Sequence, residues 1–135
     1  MDVNIKHKIL DACAGAGGKT LHIASILNNK GNIVATDIHE FKLLELKKRA
    51  KRNGIHNITT KIIDNKFIKK NKEKFDRVLI DAPCSGFGVI RRNPDSKWKL
   101  NRKDFNRILN NQIKILNNYS KLVSDNGIML YVTCS

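Results

Sequence analysis

The sequence has no apolar run approaching the roughly 20 residues of a membrane span, and its first residues, MDVNIKHK, have none of the apolar segment of a signal peptide. A membrane partner is therefore not expected, and a cytoplasmic location is. Cysteine is scarce: Cys13, Cys84 and Cys134 are odd in number and lack metal-ligand spacing, and the histidines at 7, 22, 39 and 56 are scattered, so neither a disulfide framework nor a metal site is expected. Three ligand-binding signatures are missing as well. There is no Walker P-loop, because no glycine stands five residues before Gly18; no GxGxxG, because Thr20 takes the place of the last glycine; and no [ND]PP[YF] after the fourth strand. Nor is there length for two cores, so the 135 residues are expected to form one domain. Acids are few, 12 against 26 lysines and arginines, for a net charge of +14. Such a surplus usually marks a polyanionic partner. The chain is also rich in Asn and Ile, so a compositional habit of the source is the competing reading, and charge alone does not choose between them.

What the chain does have is a regular alternation of strand and helix. Lys8 to Asp11, Asn32 to Asp37, Ile58 to Asp64, Val78 to Asp81 and Ile128 to Cys134 read as short strands; four end in aspartate and the last in a thiol. The first runs into ACAGAGGKT, in which Gly15, Gly17 and Gly18 permit a tight turn and let a ligand lie against bare backbone before a helix N-terminus. Asp37 stands 20 residues beyond Gly17, the spacing at which a carboxylate on the next strand reaches a ribose hydroxyl pair. The next helix is expected to turn Phe41, Leu43, Leu44, Leu46 and Ala50 inward and Lys47, Lys48, Lys51 and Arg52 outward, ending at Asn53 and Gly54. A polar connection is expected from Asn65 to Lys74. Asn101 reads as the N-cap of an amphipathic helix carrying Phe105, Ile108, Leu109, Gln112, Leu116 and Tyr119, and Asp125 to Gly127 as a turn before the fifth strand. This pattern predicts an α/β fold with a doubly wound, mostly parallel sheet, whose ligands bind at the carboxyl ends of the strands.

The most informative stretch is RVLIDAPCSGFGVIRR, Arg77 to Arg92. A buried strand leaves the sheet at Asp81; Pro83 stiffens the loop, Gly86 and Gly88 let a flat partner approach, and Cys84 sits on a shaped loop. Acids at 37, 64 and 81, with no cationic fork for a phosphate, suit a sulfonium nucleoside better than a dinucleotide. Lys19 is the contrary sign, unless it braces the loop or meets the substrate. Singly, each aspartate is better read as a cap or turn residue, but four of five strands ending in one, with a thiol on the last, is harder to dismiss. A nicotinamide oxidoreductase is disfavoured, since nothing supplies an acid or base at a hydride site.

In order along the chain, LDACAGAGGKT, ATD, IID, LIDAPCSGFGVIRRNPDSKW and LYVTCS resemble the motifs of the RNA cytosine-5 methyltransferases, specifically the Sun or Fmu type that acts on small-subunit ribosomal RNA. The resemblance runs from Leu10 to Ser135. It implies a Rossmann-like class I methyltransferase core over residues 1–135, with S-adenosyl-L-methionine bound by Cys13, Ala14, Gly15, Ala16, Gly17, Gly18, Lys19, Asp37, Asp64 and Asp81. It implies Cys134 as the nucleophile that adds to cytosine C6, Cys84 as the residue that assists release, and Asp81 at the edge of the base. Covalent attack is what the chemistry needs, because C5 becomes nucleophilic enough to take a methyl group only after a thiolate has added at C6. Arg91, Arg92, Lys97 and Trp98 form a basic and aromatic cluster fit for binding RNA, although Trp98 could instead pin the loop. Cys13 is expected to be a small core residue, not a third reactive thiol.

Two departures from the family pattern stand out. Gly15 and Ala16 replace an alanine and a proline, which loosens the loop. The chain also stops at TCS, without the further strands that follow in the family or the RNA-binding segments that precede this core. The expectation is a core truncated at both ends and lacking the C-terminal strands, with a catalytically inactive RNA-binding remnant as the alternative.

Overall fold

The structure, a computed structural model, describes residues 1–84 and 101–133. Five parallel strands form one sheet in the order β3-β2-β1-β4-β5: β1 (Ile9–Asp11), β2 (Ile33–Asp37), β3 (Ile58–Ile62), β4 (Phe75–Asp81) and β5 (Val123–Val132). Between them run α1 (Gly18–Ile26), α2 (Glu40–Arg52), α3 (Asn65–Lys70) and α4 (Arg102–Tyr119), the last followed by a 3₁₀ turn, Ser120–Leu122. Strands buried on both faces must be apolar almost throughout, and β1 with the centre of β4 (Val78, Leu79, Ile80) is that case. Alternate residues face opposite layers. Ile9, Ile33 and Leu79 pack with Ile23 and Ala24 of α1 and with Leu27 at its C-cap, while Leu10, Val78 and Ile80 pack with Tyr119 and Leu122. The strand order reverses between β1 and β4, which makes their carboxyl ends the switch point where ligands of such sheets bind.

The doubly wound parallel sheet expected from the sequence is therefore the fold observed, with corrections in detail. Asp64 does not end a strand. β3 stops at Ile62, and the Asp64 carboxylate accepts the Phe67 N–H at 2.7 Å, capping α3 inside what reads as a polar connection. Phe67 and Ile68 pack on the core and give that short helix a reason to form. Phe41 and Leu44 do not turn inward; they are 67% and 50% exposed. The buried stripe of α2 is Leu43, Leu46 and Ala50, spaced three and four apart, and Leu44 lies one residue, about 100°, and Phe41 two residues, about 160°, round the helix from Leu43. The turn at Asp125 to Gly127 is an irregularity within β5: the register jumps between Phe75 and Arg77, and a Cβ on Gly127 would stand 2.9 Å from the Phe75 carbonyl oxygen. The Asn101 cap is as expected, its side chain accepting the Asp104 N–H at 2.9 Å. On α4, however, Phe105, Leu109 and Ile113 are exposed, and only Tyr119 is buried.

Candidate active site at the carboxyl ends of the strands

The glycine loop leaves β1 at Asp11 and is fastened from several directions. The Ala12 N–H donates to the Leu79 carbonyl at 2.8 Å and the Ala14 N–H to the Thr36 carbonyl at 2.9 Å, so both flanking strands hold the turn. Gly15 and Gly17 take left-handed backbone, with φ of 55° and 91°. A Cβ at Gly17 would sit 2.5 Å from Leu46 Cγ, so this glycine lets the loop close down on α2. At Gly15 and Gly18 nothing lies within 4 Å of such a Cβ, which leaves bare backbone facing open space.

Carboxylates surround this loop. Asp37, buried at the end of β2, accepts the Gly15 N–H through Oδ2 at 3.0 Å and the His39 N–H through Oδ1 at 2.9 Å. It thereby braces the loop. Asp11 is fully buried; its Oδ2 accepts the Thr20 hydroxyl at 2.7 Å and its Oδ1 has no partner among the described residues. Burial pushes its carboxyl up to about 6, against the Thr20 hydrogen bond, with Asp81 adding to the rise and Lys19 opposing it. Asp64 is exposed and caps α3, one residue beyond Ile63, whose N–H donates to the Asp37 carbonyl at 3.2 Å.

Lys19, at the start of α1, forms an ion pair with Asp81 at the end of β4. It therefore spans from the glycine loop to the segment bearing Pro83 and Cys84. That segment is held too: the Gln112 side-chain amide donates to the Pro83 carbonyl at 2.9 Å, and the Ala82 N–H to the Val132 carbonyl at 2.9 Å. The β4–β5 register sets Val132 opposite Asp81. Cys84 is half-buried and unpaired by any disulfide. Cys13 is half-buried as well, and burial pushes its thiol up to about 12, with Asp11, Asp37 and Asp81 adding to the rise, so it stays an inert thiol. Cys134, Arg91, Arg92, Lys97 and Trp98, together with Gly86 and Gly88, lie outside the described residues.

Two residues of this site were not singled out from the sequence. Arg49 of α2 donates from Nη1 to the Ala16 carbonyl at 2.8 Å, clamping the loop where the family has proline. Thr36 is buried and its hydroxyl donates to the Ala12 carbonyl at 3.1 Å. Arg49 looks like one more cation on a basic helix, and only the docking of α2 against Gly17 distinguishes it. Among the described residues no group of His, Cys, Asp or Glu could hold a metal ion, and no helix is long and apolar enough to cross a membrane.

Comparison with known proteins settles the family, since the model of the 16S rRNA methyltransferases RsmB/F matches residues 1–135. The chain belongs to the RsmB/F family. It is 40% identical over its whole length to a probable ribosomal RNA small subunit methyltransferase B of Bacillus subtilis, and 39% identical over 95% of its length to the ribosomal RNA small subunit methyltransferase B of Photorhabdus laumondii. It spans 31% and 30% of those two proteins, about a third of their length. Among solved structures it is similar to PH0851, with a TM-score of 0.92 and 34% identity over 99% of this chain and 31% of that one. It is also similar to NSun6 from Pyrococcus horikoshii, solved with SFG, with a TM-score of 0.88 and 30% identity over 98% of this chain and 34% of that one. The resemblance drawn from the motifs is thus the family found, and the sheet is the Rossmann-like methyltransferase sheet of its relatives.

Proposed function

We propose that this RsmB/F chain is the cofactor-binding and catalytic core of an S-adenosyl-L-methionine-dependent enzyme that methylates cytosine C5 in RNA, with small-subunit ribosomal RNA as substrate. The observation that carries the reading is the Lys19–Asp81 ion pair, which joins the glycine loop to the Pro-Cys segment at the switch point between β1 and β4. The residues fit the cofactor. Gly15 and Gly18 present bare backbone to open space, Asp37 accepts the Gly15 N–H beside it, and Asp81 offers negative charge to a sulfonium. Arg49, the nearby guanidinium, is engaged with the Ala16 carbonyl and does not form a phosphate fork. When bound, S-adenosyl-L-methionine supplies an electrophilic methyl group.

The chain's own residues do the rest. The Cys134 thiolate adds to cytosine C6, forming a C–S bond and pushing the C5–C6 π pair toward C5 and the ring nitrogen. Asp81 accepts a hydrogen bond from the cytosine amino group, and the Lys19 ammonium paired with it balances the negative charge that builds at the ring nitrogen. Once C5 is methylated, loss of the C5 proton, assisted by Cys84, restores the double bond and expels the Cys134 thiolate. Arg91, Arg92, Lys97 and Trp98 are assigned to RNA binding by their basic and aromatic character. Calorimetric titration with S-adenosyl-L-methionine against a nicotinamide dinucleotide tests the cofactor, and only the former is expected to bind. Asp37→Ala is expected to weaken that binding by ~1.5–3 kcal/mol, the scale of losing a charged hydrogen-bond partner. Unchanged affinity removes Asp37 from the site.

A further inference from the structure

The positive charge of the chain is not spread evenly. Residues 40 to 74 carry twelve lysines and arginines against four acids, +8 of the total +14, whereas residues 1 to 39 carry four against three. A compositional habit would load every exposed segment alike, so the concentration on α2, β3 and α3 calls for a local reason. Over β3, on the face that carries Thr59 and Lys61, α3 is only six residues long and leaves a groove of about 450 Å³. Its floor is apolar, made by Val34, Phe67 and Phe75, and Lys61, Lys66 and Lys70 stand along it. Phe67 and Phe75 stack with centroids 6.5 Å apart. None of the three lysines has a carboxylate partner among the described residues, where the ion pairs are Lys19–Asp81, Arg52–Glu45 and Arg107–Asp104. Asp64, the one acid at the groove, has its Oδ1 accepting the Phe67 N–H.

Edge protection alone does not account for this. A single inward or edge lysine suffices to blunt a sheet edge, and Lys61 fills that role on β3. The opposite edge strand, β5, has no lysine and exposes Ile128 and Leu130. Lys66 and Lys70 lie on α3, not on the edge strand, and serve no pairing strand.

We propose that the groove between β3 and α3 is a second RNA-contact surface, in which Lys61, Lys66 and Lys70 take backbone phosphates and the Val34, Phe67 and Phe75 floor takes the apolar face of a ribose or base. The inference rests on the RNA reading above but uses none of its catalytic residues, nor Arg91, Arg92, Lys97 or Trp98. Phosphate contacts of this kind position a strand without reading its sequence, and each releases counterions, giving a slope of about −0.7 per contact in log K against log salt for single strands.

The test uses the 135-residue chain and a cytosine-free oligouridylate, so that neither the target base nor the methyl donor enters and failure of the methylation reading leaves the result intact. Fluorescence anisotropy across a salt series is expected to give a slope that falls by about 2 in the Lys61→Gln/Lys66→Gln/Lys70→Gln variant and is restored by arginine at the same positions. A control with Lys103→Gln, Lys114→Gln and Lys121→Gln, which carries the same charge change around α4, is expected to change the slope by less than half as much. Equal slopes in the two glutamine variants overturn the proposal and return the surplus to generic charge. An oligoglutamate peptide that binds more tightly than the RNA and loses that binding in the groove variant also overturns it, in favour of an acidic protein partner. Single Lys66→Gln and Lys70→Gln variants, expected to lower the slope by about 0.7 each, keep the test open if the triple variant's unfolding midpoint drops.

Discussion

The carboxyl ends of β1, β2 and β4 and the shoulder made by α2, β3 and α3 follow opposite rules. At the strand ends each charge is engaged: Asp37 holds two backbone N–H groups, Asp11 holds the Thr20 hydroxyl, and Asp81 is paired with Lys19. On the shoulder the lysines stand in solvent, and among the described residues the only ion pair is Arg52–Glu45, long at 3.5 Å. Engaged charges at a loop preorganise a small-molecule site, because the donors and acceptors need not be ordered again when the ligand arrives. Unpaired cations on an exposed surface contribute little to stability, and their use is in meeting a polyanion. Arg49 belongs to both regions: it rises from the basic helix, yet its guanidinium is committed to the glycine loop.

The two regions touch at Gly17, where the largest effect is expected. Gly17→Val would place a branched side chain 2.5 Å from Leu46 at a φ of 91°, combining overpacking with a left-handed backbone that valine resists. The expected loss is about 3 kcal/mol or more in denaturant unfolding, and a loss under 1 kcal/mol would show that the loop does not depend on close approach to α2.

Asp11 sharpens the comparison through pH. Its folded carboxyl is raised from 3.8 to about 6, so between those values the folded chain holds a proton that the unfolded chain has released. Stability from this group is therefore fully present below the unfolded value and is lost as pH rises through the folded one. Above pH 6 the buried charge costs up to about 3 kcal/mol, and Asp11→Asn is expected to gain on the wild type by that order between pH 4 and 7. A pH-independent difference between the two proteins would mean that Asp11 is not a strained acid in the fold.

Arg49→Ala is the mildest change, removing one partly exposed hydrogen bond from the Ala16 carbonyl. It is expected to weaken S-adenosyl-L-methionine binding by about 1 kcal/mol in calorimetry while leaving the unfolding midpoint nearly unchanged, which separates it from the other cations of α2. Lys48→Ala, beside it on the same helix, is expected to leave the affinity unaltered.

Much of this was legible in the sequence because β1, β2 and β4 each announce themselves by an apolar run and their ends by an acid. Ile9–Asp11, Ile33–Asp37 and the buried half of β4 lie where the pattern puts them, and the cap at Asn101 is visible as a local signal. What was not legible depends on tertiary neighbours. Asp64 looks like Asp37, since both follow an apolar run, and only the packing of Phe67 and Ile68 turns the residues after it into a helix. Phe41 and Leu44 are as apolar as Leu43 and Leu46, and the sequence does not say which stripe of α2 meets the sheet. The Arg49 clamp on Ala16 and the Gln112 hold on Pro83 join elements 33 and 29 residues apart, distances over which no local pattern carries information.

The proposed mechanism gives Cys134 and Cys84 different duties, and the most direct test is to trap the adduct on small-subunit ribosomal RNA in the presence of the methyl donor. Cys134→Ser is expected to abolish methyl transfer and leave no cross-link, because a serine hydroxyl without a base is a far poorer nucleophile than a thiolate. Cys84→Ser is expected to attack and transfer the methyl group but to release slowly, leaving a protein–RNA band that survives denaturing electrophoresis. A cross-link that appears with Cys134→Ser and vanishes with Cys84→Ser would reverse the roles, and no cross-link from either variant of a chain that does methylate RNA would contradict the covalent mechanism.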